Sequence, residues 1–164
     1  MLAQKRLHPL GVRSTTDIFG LVTTVNGALE IGQHWETLAP VTDVLLPMTY
    51  PSHYPRGAFG TDRPNAEPRK VLYQATRKAG ERNRKLGIRN PEHVRAWLQA
   101  FTLGQPPYGP EQILEQKQGV YDAGFDGWIL WHPGSKYEQF LPALEKEMVS
   151  RKKPLAAAIS DSLP

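Results

Sequence analysis

The most constraining stretch of this chain is residues 43–54, DVLLPMTYPSHY. An apolar run, Val44 through Met48, opens on an acid and closes in a cluster of Pro, Tyr, His and Ser. Five apolar residues without polar alternation suit a strand covered on both faces, as in a parallel sheet flanked by helices. The polar and aromatic residues then fall beyond the strand's carboxyl end, where α/β folds place their chemistry. If so, the other strands should run the same way and carry comparable residues to the same rim.

The remaining sequence repeats the pattern. Residues 10–20, LGVRSTTDIFG, read as a strand with Arg13, Thr15 and Asp17 on one face by the period of two. Residues 31–41 carry a short helical stripe, and the strand at 43–50 follows. A loop rich in Pro, Gly, Asn and Asp spans 51–68; loops of this length are usually functional or mobile. Residues 69–86 form a strong helical stripe, with Gly87 as its stop. A third strand is expected over 93–101 (HVRAWLQAF), a helix over 110–123 with Pro110 in its first turn, a fourth strand over 127–131 (GWILW) and a helix over 137–149. Strands alternating with helices imply parallel pairing through right-handed crossovers. No Gly-rich phosphate-binding fingerprint follows any strand, which leaves a nucleotide-binding doubly wound sheet without support. Aromatic or polar strand ends instead fit a barrel mouth. A complete (β/α)8 barrel takes about 250 residues. The fold class expected for these 164 residues is therefore α/β, a partial (half) TIM barrel of about four βα units with parallel strands.

Composition narrows the function classes. With no cysteine, disulfides and thiolate metal sites are excluded. No stretch approaches the roughly 20 apolar residues of a membrane span, and the first 13 residues hold no apolar run of signal-peptide length. The net charge is +4, with the basic excess crowded into residues 69–95. Without aromatic interleaving or a binding motif this reads as a solvated helix face rather than a nucleic-acid interface. The five histidines lack close paired spacing, so no metal site is expected, and nothing calls for a cofactor.

Five blocks carry a family resemblance: TTDIFG (15–20), IGQHWE (31–36), DVLLPMTYPSHY (43–54), VRAWLQAF (94–101) and GWILWHP (127–133). In this order and spacing the chain resembles the carboxyl-terminal half of a bacterial glycoside hydrolase-like domain, a domain of unknown function grouped with the TIM-barrel glycosidases. The resemblance covers about residues 10–137. It implies the last four βα units of a barrel, a carbohydrate ligand and a cell-envelope or exported parent. It also implies that the earlier strands, one bearing an acidic motif, are missing. Two positions depart from the family: Ala100, usually an acid, and His132, usually Asn. The expected organisation is a lead-in over 1–9, the partial barrel over 10–149 and a flexible tail over 150–164.

Glycoside hydrolysis usually needs two carboxyl groups across the scissile bond. Asp17 alone stands near a strand's carboxyl end and is the candidate catalytic carboxylate; the alternative is an acid bonded to a neighbouring loop. Asp43 and Asp126 precede their strands and belong to the opposite face. Glu36 stays in play through its family block, and Asp62 and Glu67 through their loop. Tyr50, Tyr54, Trp97 and Trp131 are candidates for a sugar platform, flat rings with polar edges; Trp97 and Trp131 can equally fill the barrel core. His53 is a candidate general acid, hydrogen-bond donor to substrate, or ligand, and Gln99 a holder of sugar hydroxyls or of a loop. Two function classes remain: an incomplete glycoside hydrolase, and a non-catalytic half-barrel that binds carbohydrate or scaffolds a partner. Two open sheet edges and an uncovered interior call for a homodimer, or for docking to the missing half.

Overall fold

The computed structural model describes residues 2–144. The expected tail and residues 145–149 of the helix expected over 137–149 lie outside these residues; over the described part of that helix the chain forms a 3-10 segment, Glu138–Ala143, with Pro142 inside it. The elements are α1 (Leu2–Leu7), β1 (Thr15–Phe19), α2 (Trp35–Leu38), β2 (Val44–Met48), α3 (Pro68–Lys85), β3 (Ala96–Gln99), α4 (Pro110–Asp122) and β4 (Trp128–Trp131). The four strands form one sheet in the order β1-β2-β3-β4, with every pair parallel. This is an α/β half-barrel of about four βα units.

Register divides the side chains into two faces. Phe19, Met48, Trp97 and Ile129 lie in one row across the sheet. Asp17 and Leu46 lie one row below, and Gln99 and Trp131 one row above. The intervening residues Ile18, Leu45, Ala96 and Leu98 point the other way and are buried with Val71, Leu72, Ala75, Ala79 and Val120 of α3 and α4. The core thus sits between sheet and helices. On the inner face Met48, Trp97 and Ile129 are half-buried, while Asp17 and Trp131 are exposed.

The helix layer follows from small residues and caps. Pro68 opens α3, and after Leu86 the chain turns at Gly87 with φ +76°, which lets the Ile88 N–H reach the Asn83 carbonyl. Gly119 permits the close approach of α4 to α3: a Cβ there would stand 2.4 Å from the Arg69 carbonyl oxygen. Beneath the helices a buried polar chain links three elements. Trp35 Nε1–H donates to Asn83 Oδ1, Asn83 Nδ2–H to His93 Nδ1, and His93 Nε2–H to the carbonyls of Ala39 and Thr42. Burying an indole, an amide and an imidazole is tolerable because each is bonded.

Pro47 stands in the interior position of a central strand, where a ladder N–H is missing. Arg95 N–H still donates to the Leu45 carbonyl, but β2 and β3 then share a single registered pair, Met48 with Trp97. Just beyond the break, the Thr49 N–H turns back to the Pro47 carbonyl. The Thr49 hydroxyl takes its place, donating to the Trp97 carbonyl at 3.0 Å.

Several elements are shorter than expected. The strand expected from residue 10 begins at Thr15, because His8–Leu10 is a 3-10 turn closed by Gly11 at φ +71°. The helix expected over 31–41 contracts to α2 and a 3-10 turn. The loop over 51–68 is packed into three 3-10 turns.

At the amino-terminal edge of the sheet, Asp43 ties the lead-in to the barrel. It accepts hydrogen bonds from the Ser14 N–H at 2.7 Å, the Ser14 hydroxyl, His8 Nε2 and Gln4 Nε2. The Ser14 N–H contributes most to holding its carboxyl far below the ordinary range. A depressed folded value adds stability above the unfolded value of about 3.9 and loses it as pH falls. Asp43→Asn should therefore lower the denaturation midpoint at pH 7, with the gap to the parent closing as the pH is taken below about 4. Chemical denaturation at a series of pH values measures this.

Candidate functional site

Because all four strands are parallel, their carboxyl ends share one rim, which collects aromatic side chains. The Tyr50 ring meets His53 edge-on at 5.2 Å and Phe101 edge-on at 5.5 Å. His53 also stacks on Phe19 at 6.4 Å. Across the sheet, Trp97 and Trp131 meet edge to face at 6.1 Å. Asp17 joins the two groups. Its Oδ1 accepts the Trp97 Nε1–H at 2.7 Å, and its charge reaches the Tyr50 hydroxyl.

Burial, then Asp17 and Tyr137, push the Tyr50 hydroxyl well above the ordinary phenol range, so it stays protonated and able to donate. Partial desolvation by its neighbours lowers His53 from the ordinary imidazole value even though the side chain is exposed. The rim therefore offers an exposed carboxylate, an exposed imidazole, an exposed indole, Trp131, at 43%, and the largely buried phenol of Tyr50. Tyr137 and the strand-end rings of Phe19 and Phe101 complete it. The sequence showed Phe19 and Phe101 at strand ends, but their ring contacts with Tyr50 and His53 emerge only with the fold. Tyr137 has no signal of its own; it lies after β4 and accepts the His132 N–H through its hydroxyl.

Two expected site residues do not face this opening. Tyr54 is 6% exposed and packs in the helix-side core against Phe59. The 3-10 turn Pro51–His53 aims His53 at the rim and sends the next residue inward. Gln99 shares the inner-face parity of Trp97, but its side chain is committed. Its Oε1 accepts the Ser52 N–H at 3.1 Å and the Ser52 hydroxyl at 2.8 Å, while Nε2 donates to the Phe101 carbonyl. The amide fastens the loop after β2 to β3.

The other candidate carboxylates, Glu36, Asp62 and Glu67, are engaged elsewhere. Glu36 is paired with Arg82, which also holds the Val22 and Val25 carbonyls, and that bond lowers its carboxyl. Asp62 pairs with Arg56, and Glu67 binds the Thr61 hydroxyl and Lys70. Ala100 is fully buried with Ile113, Phe140 and Ala143 on the helix side, so an acid there would point away from Asp17. His132 turns its Nδ1 to the Gly134 and Lys136 N–H groups and its ring to Tyr137 and Phe140. Among the described residues no group of three or more His, Asp or Glu is placed to hold a metal ion.

A family model described as a putative glycosyl hydrolase domain matches residues 1–137. The chain belongs to that family. Comparison of this glycosyl hydrolase-like domain with curated proteins and with solved structures finds no match. No helix among its described residues is long and apolar enough to cross a membrane.

The committed amide gives a direct test of its role. Gln99→Leu keeps the volume but strands the Ser52 N–H and the Phe101 carbonyl, at an expected cost of about 1–3 kcal/mol. Denaturant unfolding measures it. A residue that only contacted a ligand would leave the midpoint unchanged.

Proposed function

We propose that this glycosyl hydrolase-like domain binds a polysaccharide across the rim of its parallel sheet and acts on it through Asp17. The observation that supports this most is the setting of Asp17. It is the one carboxylate on the inner face of the four strands, exposed, bonded to Trp97 and within electrostatic reach of Tyr50, and the rings of Trp131 and His53 pack on those two. Flat rings with polar edges suit pyranose faces, and a carboxylate among them suits the chemistry at an anomeric carbon. Asp17 serves as nucleophile or base. The Tyr50 hydroxyl and the His53 ring hold sugar hydroxyls, and Trp131 stacks on a ring.

The second carboxyl group is not among these residues. The half-barrel has two strand edges, β1 and β4, and an inner face on which Trp97, Ile129 and Trp131 are incompletely covered. The working barrel is completed by further βα units, supplied by more of the same polypeptide or by a second copy, and the acid partner comes with them. Open parallel edges and apolar faces are costly in water. Sedimentation should accordingly find the purified chain self-associated; a highly soluble monomer with a sharp thermal transition would count against completion by another copy.

The non-catalytic reading, a carbohydrate-binding or scaffolding half-barrel, is favoured by the same missing partner acid. Asp17→Asn decides between the readings. Hydrolysis of a polysaccharide panel should fall by at least about 100-fold with binding retained. Unchanged turnover removes Asp17 from the mechanism. A parent chain that binds glycan but releases no reducing ends is a binding module.

A further inference from the structure

We propose that Trp97 is the positioning residue for Asp17 rather than part of the sugar platform. The inference rests on the reading of Asp17 as the working carboxylate. The indole sits on β3 and the acid on β1, and β2 lies between them. No backbone hydrogen bond can therefore fix their separation. The indole starts in the row of Met48 and delivers its N–H one row lower to Asp17 Oδ1 at 2.7 Å, a short bond to an ionisable acceptor.

Trp97 is itself held. Its backbone carbonyl accepts the Thr49 hydroxyl, and its ring meets Trp131 edge to face. The two tryptophans therefore divide the work. Trp97 is half-buried, with its polar edge committed to Asp17, and Trp131 is exposed and free to stack. Anchoring one carboxylate oxygen fixes the direction of the other toward a bound substrate. Such orientation acts on the chemical step and leaves ground-state binding largely intact.

Two measurements test this in the full chain. The first needs no turnover. In a ¹⁵N–¹H spectrum the four tryptophans give four indole signals. Those of Trp35 and Trp128, bonded to Asn83 and to the Tyr121 hydroxyl, serve as internal controls. In Asp17→Ala the Trp97 indole proton should move upfield while the controls stay. An unmoved Trp97 signal overturns the proposal. The second compares kinetics. Trp97→Phe keeps a ring and removes the donor, and should lower kcat at least about tenfold with KM within about twofold, whereas Trp131→Ala should raise KM. A raised KM at unchanged kcat in Trp97→Phe makes Trp97 a platform residue and overturns the proposal. A parent without turnover defeats the hydrolase reading and the positioning role together. An active parent with the wrong split defeats only the latter.

Discussion

Parallel pairing is the constraint from which the rest of this structure follows. Once β1, β2, β3 and β4 run the same way, successive rows of side chains are fixed across the sheet by register alone. Ile18, Leu45 and Leu98 are committed to the helices, and Asp17, Trp97 and Trp131 to the opposite side. The helices supply the energy that holds this choice, since the fully buried residues lie between sheet and α3–α4. Glycines set the tolerances. Gly20 lets the exit of β1 pass the Met48 carbonyl, which would lie 2.2 Å from any Cβ there.

Polar groups settle where the chain leaves the strands. Asp43 anchors one end of the sheet, gathering Ser14, His8 and Gln4. Gln99 anchors the other, gripping Ser52 and the Phe101 carbonyl. Both are structural, and between them the rim is left with Asp17 as its acid.

Much of the fold was legible because hydrophobic period is a local signal. The run from Val44 to Met48 and the stripe of Val71, Leu72, Ala75 and Ala79 each predict their element within a residue or two. The lead-in helix α1 escaped because it buries no residue and carries no stripe. It is held by hydrogen bonds to an acid some 39 positions away, which no window reveals. The site was legible in the same measure. Asp17 and Trp97 each stand out in their own strand, but one dimension shows neither their common face nor the bond between them. Tyr54 and Gln99 look as suitable as Tyr50 and His53 in one dimension. What separates them is the turn after Tyr50 and the demand of the Ser52 loop for an acceptor, both products of tertiary packing.

Pro47 has a mechanical consequence. A ladder missing rungs resists shear poorly, so the sheet behaves as two paired ribbons, β1–β2 and β3–β4, meeting along a soft seam. The Thr49 hydroxyl and the Asp17–Trp97 contact are stitches across or beside that seam. The join between the two ribbons therefore rests on side-chain stitches as well as on backbone rungs.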